Sequence, residues 1–79
     1  YPNPFNPIVN VRISVPSHQY VSIDIYDITG SLVTTIYEGY LVQGQYEYSW
    51  DANQYSSGFY FINLTSDDKS VTSKMTLIK

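Results

Sequence analysis

Gly44-Gln45-Tyr46-Glu47-Tyr48-Ser49-Trp50-Asp51 sets Tyr46, Tyr48 and Trp50 on every second position, with Gln45, Glu47 and Ser49 between them. A period of two puts the aromatic rings on one face of an extended chain, whereas a helix needs apolar residues three and four apart. The same period runs outward in both directions. Upstream, Val9, Val11, Ile13 and Val15 alternate with Asn10, Arg12 and Ser14 until Pro16 stops the run. Ser17-His18-Gln19 makes a polar turn, and Val21, Ile23 and Ile25 then alternate with Ser22, Asp24 and Tyr26. Asp27-Ile28-Thr29-Gly30 reads as a tight hairpin, with Asp27 bonding local backbone and Gly30 supplying a positive φ. Leu32 to Tyr37 is a β-branched third strand that Glu38-Gly39 is expected to break, leaving Tyr40 to Gly44 as a connection anchored by Leu41 and Val42. Downstream, Asp51 to Gly58 is a loop, and Phe59 to Thr65 is a nearly continuous apolar run, expected to be a central strand covered on both faces. Ser66 to Lys69 is a charged hairpin loop, and Val71, Ser73, Met75 and Leu77 form the last strand.

Nothing in the chain reads as a helix. Six to seven short strands with turn signals predict an all-β fold, a small immunoglobulin-like antiparallel β-sandwich of two sheets with three or four strands each. Trp50, Tyr60, Phe61, Ile25 and Leu64 are its expected core, Gly30, Gly44 and Gly58 its backbone devices, and Arg12, Pro16 and Lys74 its edge guards. The seven opening residues, Tyr1-Pro2-Asn3-Pro4-Phe5-Asn6-Pro7, hold three prolines and are excluded from a helix. They read as a semi-rigid lead-in to a sandwich over residues 8–79, together one domain.

Composition narrows the function classes. Seventy-nine residues bury only roughly 60–65% of their unfolded surface, which leaves a thin stability margin. There is no cysteine and only one histidine, so neither a disulfide framework nor a zinc site is expected. A net charge of −3 with four basic residues argues against nucleic acid and against anionic lipid. No apolar run is long enough for a membrane-spanning helix, and no direct membrane insertion is expected. The absence of a signal-peptide pattern and of an initiator Met suggests a piece of a longer protein whose export signal lies upstream. Nine tyrosines must supply much of the core, each keeping a polar tip.

Candidate chemistry is sparse. His18, the lone imidazole, reads as a solvated turn residue. The carboxylate pairs Asp24/Asp27 and Asp67/Asp68 read as turn and loop residues, with no cleft for glycoside hydrolysis. Asp51 with Asn53 offers oxygen ligands for Ca²⁺ but matches no standard loop, and Asp51 is expected to cap the turn after Trp50 instead. Tyr37, Tyr40 and Tyr55 fall near loops, where a planar row would bind sugar. No catalytic residue, cofactor or metal is expected.

Six stretches in order carry a family resemblance. Tyr1 to Pro7 resembles the YPNPFNP opening of the type IX secretion system C-terminal sorting domain. Val11-Arg12-Ile13-Ser14-Val15-Pro16 is similar to its I-R-x-x-L-P, and Ile25-Tyr26-Asp27-Ile28-Thr29-Gly30 to its I-Y-D-x-x-G hairpin. Gly44 to Asp51 is similar to G-x-H-x-x-x-W-D, Ser57-Gly58-Phe59-Tyr60-Phe61 to S-G-x-Y-F, and Ser73 to Lys79 to the closing K-M-x-L-x-K. Three positions depart from the pattern: Tyr46 replaces the common His, Ala52 follows Trp50-Asp51 in place of Gly, and Ile8-Val9-Asn10 replaces the usual Ser/Thr.

The resemblance implies a non-enzymatic sorting signal at the end of a larger cargo from a Bacteroidota-type bacterium. The cargo passes through the periplasm and reaches the cell surface or medium by way of the outer-membrane type IX machinery. In members that are cleaved, a sortase-like cysteine protease is the second partner, and Tyr1 to Pro7 would be the joint near the cut. Lys74, Met75, Leu77 and Lys79 would be the partner-recognition residues, and Asp27, Gly30, Gly44, Asp51 and Gly58 the structural turns. The alternative is a carbohydrate-binding or cell-attachment module of a secreted enzyme.

Overall fold

Alternation along the chain becomes six strands in a computed structural model that describes residues 7–67 and 69–78. They are β1 (Ile8–Val15), β2 (Gln19–Asp27), β3 (Leu32–Leu41), β4 (Gly44–Asp51), β5 (Gly58–Ser66) and β6 (Ser70–Leu77). All described pairings are antiparallel. β1 pairs with β4 in a two-stranded sheet, and the order β3-β2-β5-β6 makes a four-stranded sheet. The result is a sandwich-like fold with two strands facing four, more lopsided than the expected three or four on each side. Local alternation sets which face of a strand is buried but not which strands pair, so this partition is a property of long-range contacts.

The small sheet lays Val9, Val11, Ile13 and Val15 of β1 and Tyr46, Tyr48 and Trp50 of β4 onto the large one. Beneath them lie Val21, Ile23 and Ile25 of β2, of which Ile23 and Ile25 are fully buried. Trp50 meets Tyr60 edge-on at 5.6 Å and Tyr55 at 5.3 Å between ring centroids. Tyr37 of β3 stacks on Tyr48 at 5.0 Å, joining the two sheets at the β3–β4 side.

Tyrosine hydroxyls then tie down backbone carbonyls near the ends of the sandwich. Tyr60 donates to the Ser56 carbonyl at 2.7 Å, Tyr46 to Val42 at 2.8 Å and Tyr37 to Tyr40 at 3.2 Å. Each ring contributes apolar area to the core while its tip satisfies a nearby backbone carbonyl, and no described buried side-chain polar atom lacks a partner.

Two expectations need correction. β3 does not end at Glu38-Gly39 but runs to Leu41, with Gly39 paired to Val21 and Tyr40 to Tyr20. Gly39 has φ 157°, and a Cβ there would lie 2.9 Å from the Tyr37 hydroxyl. The glycine makes room for the Tyr37 ring to lie along the strand, so it continues the sheet where propensity alone suggests a break. The β5 run is not covered on both faces either. Tyr60 is buried and Ile62 and Leu64 pack against the core, so Phe59 and Phe61 face outward, and Phe59 is 43% exposed. Phe61 is therefore an outer-face residue and not part of the core.

Candidate functional site

Backbone geometry decides what the closing strand can offer. Ser66 N–H donates to the Lys69 carbonyl at 2.8 Å, one step beyond the Thr65–Ser70 pair of the β5–β6 ladder. Hydrogen-bonded pairs alternate along an antiparallel ladder. Val71, Ser73, Met75 and Leu77 thus turn their backbone groups to β5, while Thr72, Lys74 and Thr76 turn theirs to the open edge of the sheet. The side chains alternate in the same step. Leu77 is buried and Met75 half-buried against the Tyr60–Trp50 cluster, whereas Lys74 stands on the outer face with its Nζ 4.2 Å from the Phe59 ring centroid.

The residues singled out for recognition therefore divide. Met75 and Leu77 shape the core under β6, and Lys74 alone among the described ones is available to a partner. Lys79 and the lead-in Tyr1 to Asn6 lie outside the described residues, as does Asp68. Pro7 is described, and its carbonyl accepts the Ala52 N–H at 2.9 Å.

The outer face brings three of the motif stretches together. In register across the sheet, Leu32, Tyr26, Phe61 and Lys74 form one row, and Thr35, Asp24, Asn63 and Thr72 the next. A shallow depression between them is bounded by Tyr26, Ile28, Phe61, Asn63 and Thr72. Ile28 is 70% exposed at its rim. The polar row is internally bonded. Asp24 accepts from Thr35 at 2.7 Å and Ser22 at 3.0 Å, and Asn63 Oδ1 accepts from Ser70 and Thr72, both at 3.1 Å. Tyr26 alternates with the buried Ile25 in the sequence, but Phe59 and Phe61 escaped the sequence reading as outer-face residues. Their signal was parity: once Tyr60 is taken as core, its neighbours must face out.

The hairpin that frames this depression is built on Asp27. Its Oδ1 accepts from the Thr29 hydroxyl at 2.6 Å, the Thr29 N–H at 2.9 Å and the Ser31 N–H at 3.1 Å. Those donors, the Thr29 hydroxyl foremost, hold the carboxyl below its ordinary range. Gly30 takes φ 86°, a conformation costly for any residue with a Cβ. At the other turn, Asp51 Oδ1 accepts the Asn53 N–H at 3.0 Å. Gly44 and Gly58 stand at the first positions of β4 and β5.

Elsewhere, the sugar-row tyrosines separate. Tyr37 stacks on Tyr48, Tyr55 packs on Trp50, and Tyr40 stands 67% exposed beside Tyr20 and His18. Tyr37 and Tyr55 are packed against the core and only Tyr40 stands out, so the three form no exposed row. Among the described residues, no group of three or more His, Asp and Glu side chains is placed to hold a metal ion.

Comparison with known families decides the identity. Over residues 1–79 the chain matches the family described as the secretion system C-terminal sorting domain. The chain belongs to this family. As a type IX sorting domain it is a signal carried at the tail of a cargo protein, it engages the type IX machinery, and it directs export to the cell surface or the extracellular space. Such sorting domains are in general non-catalytic. No curated protein matches the chain.

Proposed function

We propose that this domain is the last domain of a larger cargo, and that the outer-membrane type IX machinery reads it through β6 and the outer face beside it after the cargo has entered the periplasm. The observation that carries this is the position of β6, an edge strand whose Thr72, Lys74 and Thr76 offer unpaired backbone groups beside the Phe59–Phe61 surface. A partner can add a strand to such an edge and take its register from the side chains around it. Lys74 supplies the cation that orients the contact. The reading also includes cleavage of some copies near the Tyr1 to Pro7 joint by a sortase-like cysteine protease, the three prolines of that stretch being incompatible with a helix.

Deleting Ser73 to Lys79 from a full cargo should trap it in the periplasm. The deletion also removes buried Leu77, so a surface change must accompany it. Lys74→Glu reverses the charge beside Phe59 without touching the core and should reduce surface delivery while the thermal midpoint stays within a few degrees. Normal delivery of both variants would contradict recognition through β6.

A further inference from the structure

The imbalance of the sandwich leaves a second place unfilled. β4 lies on the β3 side of the small sheet, where Tyr48 meets Tyr37, and β1 lies toward β5 and β6. Among the described residues, no third strand lies beyond β1 above the inner face of the β5–β6 hairpin. A groove of about 340 Å³ runs there. Ile13 and Val15 of β1 form its wall, and Val21, Leu64 and Val71 its floor. Val71 is 52% exposed although its side chain points to the inner face of the sheet.

The backbone beside the groove is equally open. Ala52 N–H donates to the Pro7 carbonyl, one step beyond the Ile8–Asp51 pair, so Val9, Val11, Ile13 and Val15 bond toward β4. Asn10, Arg12 and Ser14 turn their N–H and C=O groups to the free edge. β1 keeps eight consecutive pairs with β4 and no bulge. The β3 edge differs: its register against β2 shifts twice, leaving Val33 and Ile36 as extra residues, and such bulges spoil an edge as a template. The Arg12 side chain does not block β1, because its Nε bonds Glu47 of β4 at 2.9 Å.

We propose that β1 is a strand-acceptor site, which takes an extended segment of a partner polypeptide as a third strand of the small sheet. The row of free donors and acceptors selects a peptide backbone. The groove lies beside the Ser14 end of that row and selects apolar side chains on the inner face, where Val71 is half exposed and Leu64 only partly buried. The chain's net charge of −3 favours a segment without an acidic excess. The site is separate from the Lys74 face of β6, and it stands whether or not the sorting reading holds.

The test uses the 79-residue chain, isotope-labelled, and a synthetic eight-residue peptide, Lys-Thr-Val-Thr-Val-Thr-Val-Lys, matched in length to β1. Titration to about 1 mM peptide should give saturable NMR shifts at the amides of Asn10, Arg12 and Ser14 and the methyls of Leu64 and Val71. Hydrogen exchange at the three amides should slow by about tenfold or more. Ser14→Pro removes a free-edge donor without breaking the β1–β4 ladder, and Val71→Asp charges the groove at an exposed position. Each should weaken binding by about tenfold with the amide spectrum otherwise preserved, and Val71→Asp keeps the test open if the proline variant does not fold. No shifts at 1 mM, equal binding by a folded variant, or shifts mapped to β3 or β6 would overturn the proposal. Protection of the same amides that grows with protein concentration alone would overturn it too, by assigning the edge to a second copy.

Discussion

Tyr20 donates its phenol to Glu38 Oε2 at 2.5 Å, and that bond, reinforced by burial and by the carboxylate charge, pushes its pKa up to about 12. A raised folded pKa contributes stability that is complete below the unfolded value near 10 and is lost as pH climbs toward 12. Spectrophotometric titration should find one tyrosine ionising near pH 12, and Glu38→Gln should return it to the ordinary range; an unchanged titration would refute the pairing. Trp50 is 6% exposed between Tyr55 and Tyr60, so Trp50→Ala should cost about 3–5 kcal/mol by denaturant unfolding. Gly39→Ala should cost about 1 kcal/mol or more, since a Cβ meets the Tyr37 hydroxyl and the φ is unfavourable, and it should disturb the Tyr37–Tyr48 stack. Gly39 also marks where local reading stops. As a residue type it signals a strand break, and only the neighbouring tyrosine lying across it explains why the strand goes on.

Strands and turns were the more legible level. Val21, Ile23 and Ile25 announce a buried face by alternation alone, and Asp27 to Gly30 announce the hairpin by residue type. Phe59 to Phe61 misled because an apolar run carries no parity of its own, and the outward rings become evident only once Tyr60 is packed on Trp50. The resemblance groups Lys74, Met75 and Leu77 as one recognition unit because it marks a stretch of chain and not a face, although alternation puts Lys74 on the face opposite the other two. The hairpin's acid response belongs to this scale. Asp27 has a depressed pKa, so its contribution is present above the unfolded value near 4 and is lost as pH falls through the lower folded value. The Thr29 and Ser31 amides should lose exchange protection in that range before Ile23 and Ile25 do, and Asp27→Ala should abolish the difference. Simultaneous loss at all four would show that the hairpin does not open on its own.

At the scale of the whole molecule, two strands facing four leave one sheet edge at β6 and another at β1, each with a row of free backbone groups. The edge guards expected at Arg12, Pro16 and Lys74 fall on or beside these same two strands, but the division of the strands between the sheets could not be read from the sequence, because strand pairing is set by contacts between distant residues. A small domain with open edges suits a signal that has to be grasped by other proteins, and the family match gives that grasp its purpose. Joining residues 1–79 to a fluorescent protein with a periplasmic signal peptide, in a type IX-competent host and in a secretion-deficient mutant, tests this most directly, with an established sorting domain run beside it. Fluorescence outside the competent cells and trapped in the mutant is the predicted result. Trapping in both strains, while the established domain is exported, would contradict the sorting function.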